Sequence, residues 1–429
     1  MSDKSSLILA RKTNRKKEEY KYFVGSTLKN PLEYTSGERI VFRIRPKFMD
    51  GYIDVPSVRY SVYAEHSEIR EGVVTSSPDG WFYIETSLPQ CGFAYVRAEA
   101  CGENGEILRD IEPYNGSAGA DVAFIKRATK KPSDYTEFWE NMKRRVEDTE
   151  PEILFSEQVQ DPDYPDYNIY DMRIKAPGGE YASLMVSYPK DAKPGTLKLA
   201  MFFQGYGVAT APVLPVEGYL TVFVCGHAIP NRKSPEYYSA LFDSAFSGYA
   251  YDPEENKSPE TAYFCGMLLR DLAALRFFED HELINKKDYC FIGSSQGGMQ
   301  ACNVAAHYGR ASMLILNVPW LSDIYGHELA GRRENGMPKG EGITYFDTAV
   351  AAEGVKCPVY IISGLGDLTC NSSTQMALFN SIPGRKYIEF YQNKTHSITI
   401  PWDDLVYTLG DGGIKDDYLD IIKFYKDFN

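Results

Sequence analysis

Gly293-Ser294-Ser295-Gln296-Gly297-Gly298 follows a short apolar run at residues 289–292 and precedes a helix-compatible segment. Strand, G-x-S-x-G, helix is the layout of a nucleophile elbow. Glycines at the two flanking positions permit a sharp strand-to-helix turn where a Cβ would clash. Ser295 would sit at the tip of that turn, its Oγ exposed above the positive end of the following helix. No other serine in the chain has glycine at both −2 and +2. The chemistry such a serine can do is nucleophilic attack on a carbonyl, given a base in reach and a third group to orient the base.

Three histidines follow Ser295. His307 falls in the helix after the elbow and points along it, away from the serine. His327 lies between a strand and a charged, glycine-rich loop. His396 stands a few residues past the last expected strand, where a base must sit to reach the carboxyl edge of a parallel sheet, so His396 is the expected base. The orienting acid belongs on the loop after the penultimate strand, Gly364-Leu365-Gly366-Asp367. Asp367 is therefore the expected acid, and Asp323, after the strand at 313–318, is the competitor. An oxyanion hole completes acyl-transfer chemistry. Its expected donors are the backbone N–H of Gln296 and that of Tyr206, in the Gln204-Gly205-Tyr206-Gly207 loop after an early strand.

The elements that must position these residues appear as alternating strands and helices, the pattern of a mostly parallel α/β sheet. Strands are expected at 198–203, 220–225, 289–292, 313–318, 359–363 and 386–391, and helices at 135–146, 261–278 and 418–428. A long segment at 226–259 lacks periodicity but carries Tyr237, Tyr238, Phe242, Phe246, Tyr249 and Tyr251. A loop of that length reads as a lid or an interface. His227, Phe246 and Tyr249, with Tyr206, are the expected pocket residues. Upstream, residues 30–128 show short period-two runs separated by turn signals, such as Phe93, Tyr95 and Arg97 alternating with Ala94, Val96 and Ala98. That pattern predicts an immunoglobulin-like β-sandwich. It has no His/Ser/Asp grouping of its own; its lone His66 is expected to be structural. Linker character at Lys130-Lys131-Pro132 predicts that it folds apart from a hydrolase domain at 129–429, behind a solvated tail at 1–29.

With 429 residues the chain is long enough for two or three domains. Its net charge of −13 argues against nucleic acid or an anionic membrane as partner. Eight cysteines occur without any C-x-x-C pair or Cys/His cluster of metal-ligand spacing. Reduced thiols and no bound metal are expected. No apolar run approaches a membrane span, and Leu7 to Ala10 is too short for a signal-peptide core. As the sequence stands, a cytoplasmic protein is expected; a leader replaced by an expression start would look the same.

Residues 132–429 resemble the acetyl xylan esterase / cephalosporin-C deacetylase family of α/β-hydrolases. The points of match are Tyr135-Thr136-Glu137-Phe138-Trp139-Glu140, Gly205-Tyr206, Arg270-Asp271-Leu272-Ala273-Ala274, the Ser295 elbow, Cys357-Pro358-Val359 and Gly366-Asp367-Leu368-Thr369-Cys370. The resemblance implies an α/β-hydrolase fold and hydrolysis of acetyl esters of small sugars without metal or organic cofactor. It also implies assembly into oligomers. Two motifs depart from the family. Cys225-Gly226-His227 stands where Arg-Gly-Gln is usual, and His396-Ser397 where His-Glu is usual. The N-terminal sandwich and the aromatic insertion are additions to it. Two other readings remain at this level: a carbohydrate- or protein-binding protein on a weakly active scaffold, and a prolyl-oligopeptidase-type peptidase, for which about 130 residues are too few to form a propeller.

Overall fold

The computed structural model describes residues 20–397, 405–418 and 420–423. Nine strands come first: β1 (Lys21–Thr27), β2 (Ile40–Phe48), β3 (Gly51–Tyr52), β4 (Ser57–Ala64), β5 (Arg70–Thr75), β6 (Phe82–Thr86), β7 (Gly92–Cys101), β8 (Ile111–Glu112) and β9 (Tyr114–Ala120). They form two small sheets. One runs β3-β2-β1-β8 with β6 also on β2, the other β5-β4-β7-β9. A shared apolar layer joins them, with Phe42 and Ile44 of the first sheet meeting Val62, Val96 and Ala98 of the second. The β structure starts at Lys21, because β1 pairs with β2 from Lys21↔Phe48 to Thr27↔Phe42. The expected tail at 1–29 therefore ends earlier; residues 1–19 lie outside the described residues.

Strand β7 explains why its two faces are both apolar. Ala94, Val96 and Ala98 face the partner sheet. Phe93 and Tyr95, of the opposite parity, belong to the large core of the rest of the chain. The sandwich expected to fold apart thus packs against the rest of the chain through a buried contact. The Phe93 ring packs at a tilt against Phe390, with ring centres 6.4 Å apart. Around it runs a polar network. The Glu65 carboxylate, with no accessible surface, accepts from Phe93 N at 2.9 Å, from Ser373 Oγ at 2.5 Å and from Arg333 N at 3.1 Å. Burial raises its pKa above the ordinary carboxylate value.

Beyond α1 (Tyr135–Glu147) comes a ten-stranded sheet: β10 (Ile153–Val159), β11 (Tyr167–Lys175), β12 (Tyr181–Pro189), β13 (Leu197–Phe203), β14 (Tyr219–Val224), β15 (Ile284–Ser294), β16 (Met313–Asn317), β17 (Val359–Gly364), β18 (Lys386–Tyr391) and β19 (Val406–Gly410). Spatial order is β10-β11-β12-β14-β13-β15-β16-β17-β18-β19. The six strands from β14 to β18 are parallel, with antiparallel strands at both ends. The helices between them are α2 (Pro235–Asp243), α3 (Tyr263–Phe278), α4 (Gln296–Tyr308), the short α5 (Gly326–Ala330) and α6 (Thr348–Ala351), and α7 (Ser372–Ser381). Helix α2 interrupts the expected loop at 226–259. Ser234 caps it by accepting from Tyr237 N, and Pro235 opens it. The helix expected at 418–428 lies in part outside the described residues. Among those described, no helix is long and apolar enough to cross a membrane.

From β13 the chain steps to β14 on one side, then returns through α3 to β15 on the other. The strand order reverses between β13 and β15. Loops leaving the carboxyl ends of such neighbours diverge and leave a crevice between them, the usual place for a ligand in an open α/β sheet.

Candidate active site

Ser295 lies at that reversal, one residue past β15. Its backbone sits at φ 53°, ψ −118°, a conformation that costs a side-chain-bearing residue of order 1–3 kcal/mol. Surrounding bonds hold it there. Ser295 N donates to Asn317 O at 2.9 Å, and Ser295 O accepts from Gly298 N, Met299 N and Trp320 N. The flanking glycines are sterically required. A Cβ on Gly293 would lie 2.0 Å from Gly297 O, and one on Gly297 would lie 2.1 Å from Phe203 O.

Three side chains separated by up to 101 residues meet here. Ser295 Oγ lies 3.0 Å from His396 Nε2, and His396 Nδ1 lies 2.9 Å from Asp367 Oδ2. A carboxylate only accepts, so Nδ1 carries the proton and Nε2 is left to accept from the serine hydroxyl. Asp367 is fully buried. Its other oxygen accepts from Thr369 N at 2.8 Å and Cys370 N at 2.9 Å. These bonds fix the carboxylate plane toward the imidazole. Burial pushes the His396 pKa down, the Asp367 hydrogen bond and charge push it up, and the net position is above the ordinary 6.5.

The competing residues are engaged elsewhere. Asp323 accepts from Ala128 N and Thr129 N and pairs with Arg332. His307 bonds to the Tyr135 hydroxyl and stacks on Trp139 at 3.8 Å, and burial pushes its pKa down to about 3. His327 Nδ1 bonds to Arg332 O. The eight cysteines are free. Among the described residues, the group of side chains close enough to share a metal ion is Asp367, Cys370 and His396. Both His396 nitrogens are already committed, and burial keeps the Cys370 thiol well above its ordinary pKa. A metal held between Asp367 and His396 would have to displace the hydrogen bond that joins them.

Of the residues expected to line a pocket, His227 and Tyr249 are buried and Tyr206 and Phe246 are half-buried. His227 has no accessible surface. Its Nε2 meets Gly207 O at 3.0 Å, a carbonyl that can only accept, so Nδ1 accepts from the Tyr263 hydroxyl at 2.5 Å. Burial pushes the His227 pKa down to about 4, which keeps the ring neutral. Tyr249 is buried too; its hydroxyl accepts from Gly207 N at 3.0 Å and donates to Gln296 Oε1 at 2.9 Å. It joins the loop after β13 to the first residue of α4. The Tyr206 ring stacks on Tyr249 at 4.6 Å and meets Trp320 edge-on at 6.1 Å. Phe246 is half-buried, 4.5 Å from the His227 ring. So His227 and Tyr249 support the 204–207 loop from beneath instead of facing the crevice. Sequence reasoning misses Tyr263 and Trp320, whose only signal is an aromatic residue in an otherwise ordinary helix and loop.

The loops that carry Asp367 and His396 lean on the N-terminal strands. Gly366 N bonds to Lys394 O, and a Cβ on Gly366 would lie 2.1 Å from Asn115 O of β9. Asn393 accepts from Asn115 N and donates to Phe23 O, while Gln392 donates to Ser26 Oγ and Ser117 O. Asn371 caps α7 by accepting from Thr374 N, and Ser373 at the start of that helix is the one held by Glu65.

The family model for acetyl xylan esterase (AXE1) matches residues 122–329 and 325–408. The chain belongs to the acetyl xylan esterase family. Acetyl esterase Axe7A of Xylanibacter ruminicola is 22% identical over 297 residues, covering 64% of this chain and 65% of that relative. The chain thus matches a little under two thirds of the length of this curated relative. An acetyl xylan esterase from Paenibacillus sp. R4 superposes with a TM-score of 0.54 at 19% identity, covering 72% of this chain and 98% of that one. That likeness gives the α/β-hydrolase fold to the part of the chain it covers. Its share leaves out an amount of chain comparable to the N-terminal strands, and the family match begins at 122, just past β9.

Proposed function

We propose that the protein is a serine esterase that removes acetyl groups from sugars or xylo-oligosaccharides. The observation that carries this reading is the continuous contact Ser295–His396–Asp367 at the strand reversal. Family membership supports the acetyl ester as substrate. Residues 129–429 act as the hydrolase domain, and the N-terminal sheets as an accessory sandwich.

Ser295 Oγ attacks the acetyl carbonyl carbon as its proton passes to His396 Nε2. Negative charge collects on the carbonyl oxygen, where the backbone N–H groups of Gln296 and Tyr206 receive it. Gln296 is the first residue of α4, so its N–H has no partner within the helix. His396 then protonates the departing sugar oxygen, and Ser295 carries the acetyl group. Water, losing a proton to His396, attacks that ester, and acetate leaves as Ser295 regains its proton. Asp367 holds the imidazole tautomer and faces the positive charge that appears on it.

A panel of 4-nitrophenyl esters and acetylated xylo-oligosaccharides tests the reading. Acetyl esters are expected to be the best substrates, with kcat/KM at least tenfold above chains of six or more carbons. Faster turnover of long acyl esters would refute it.

The Tyr249 hydroxyl ties together the two oxyanion loops, so Tyr249→Phe is expected to lower kcat roughly tenfold and leave KM nearly unchanged. That is less than the 10²–10³ lost when a donor itself is removed. A loss confined to KM would place Tyr249 in substrate binding instead.

A further inference from the structure

The face of the β5-β4-β7-β9 sheet that carries Phe93 and Tyr95, turned away from its partner sheet, and the acid loop enclose a groove of about 200 Å³. Its lining includes Tyr63, Glu71, Arg97, Asn115, Arg333 and Leu368. Leu368 follows Asp367 directly in sequence and is exposed.

This groove has fixed walls. Arg97 donates to Asn115 Oδ1 at 3.3 Å and to Glu99 at 2.9 Å. The Arg333 guanidinium lies over the Tyr63 ring at 4.8 Å, and its backbone N–H is held by Glu65. Planar donors and acceptors beside an aromatic ring suit a ligand with an apolar C–H face and a rim of hydroxyls. Arg97 is paired with Glu99 and Glu71 lines the groove as well, so the two arginines are matched by two carboxylates, which favours a neutral polyol over an anion. The groove is also near the chemistry. From Ser295 Oγ through the imidazole to the Asp367 carboxylate and one residue on to Leu368 is on the order of 10 Å.

We propose that this groove is a glycan subsite, holding sugar residues next to the one whose acetyl group is presented to Ser295. The N-terminal strands then take part in substrate recognition. The inference rests on the acetyl-sugar reading above and adds where the rest of the chain of sugars lies.

Two measurements on the full chain test it. In the first, Ser295→Ala protein is titrated calorimetrically with acetylated xylotriose, alone and with Arg97→Ala or Tyr63→Ala added. Each added change is expected to weaken binding about tenfold, the usual consequence of losing one hydrogen bond to a charged group or one ring contact. In the second, the same changes in the active chain are expected to raise KM for the acetylated oligosaccharide about tenfold relative to KM for 4-nitrophenyl acetate. The Arg97 side chain is exposed, so Arg97→Ala is expected to fold even if Tyr63→Ala does not. No binding by the Ser295→Ala protein, equal affinities across the variants, or a constant KM ratio would overturn the subsite. Failure of the esterase reading would look different: the unmodified chain would hydrolyse neither ester, while the titration would still report on the groove.

Discussion

Ser295→Ala is expected to lower kcat for 4-nitrophenyl acetate by 10⁴–10⁶-fold, the usual loss when a triad nucleophile is removed. The melting temperature should stay close to that of the unaltered chain. Only the Oγ contact with His396 is lost, since the elbow is held by backbone bonds to Asn317, Gly298, Met299 and Trp320. The strained backbone at φ 53° remains, so alanine neither relieves nor adds much strain. A fluorophosphonate probe provides the parallel measurement. It should label the unaltered chain at Ser295 and leave the folded variant unlabelled. Turnover near that of the unaltered chain in the purified variant would remove Ser295 from the chemistry.

Asp367→Asn should cost about 10⁴-fold in kcat through the tautomer of His396. The Asp367 oxygen that accepts from Thr369 N and Cys370 N can be matched only by an amide oxygen. The amide NH₂ must then face His396 Nδ1. Two donors cannot meet, so Nδ1 loses its proton and Nε2 gains it, and the nitrogen facing Ser295 can no longer accept. The pH profile carries a second signature. His396 must be neutral to take the serine proton, so kcat/KM rises with pH through its pKa. In the unaltered chain burial lowers that pKa and Asp367 raises it to a net position above 6.5, which sets the acidic limb above the ordinary histidine range. Without the carboxylate only burial remains, and the limb should move to lower pH. An unmoved limb with less than a tenfold loss would show that Asp367 does not orient the base.

Much of the parallel sheet is legible in the sequence because its strands are buried on both faces and read as unbroken apolar runs, as at 199–203 and 313–316. The antiparallel strands β10 and β11 are harder to see. Residues 153–159 read Ile-Leu-Phe-Ser-Glu-Gln-Val and are largely exposed at the sheet edge, so no burial pattern marks them. Strand β1 escapes for a related reason. Lys21–Thr27 contains Gly25 and too few apolar residues to stand out, and only its pairing with β2 makes it a strand.

Ser295, His396 and Asp367 are legible for a different reason. The elbow is local: glycine at 293 and 297 reflects backbone contacts within a few ångströms of the turn. The meeting of His396 and Asp367 with Ser295 follows from chain order once the strands are counted, since each loop leaving the carboxyl edge of a parallel sheet has one place to go. Sequence alone determines that much, because steric demand and strand order are written in adjacent residues. The supports behind the site are decided only by tertiary structure. His227 and Tyr249 read as aromatic-insertion pocket residues, yet their partners Gly207, Tyr263 and Gln296 lie 20 to 47 residues away in sequence and draw them beneath the loop. Glu65, one residue past β4, carries no signal of burial in its neighbours, and is buried where Ser373 and Arg333, 308 and 268 residues on, donate hydrogen bonds to it. A buried polar group is tolerated only where its partners are, and partners that distant leave no periodicity or motif in the chain near it.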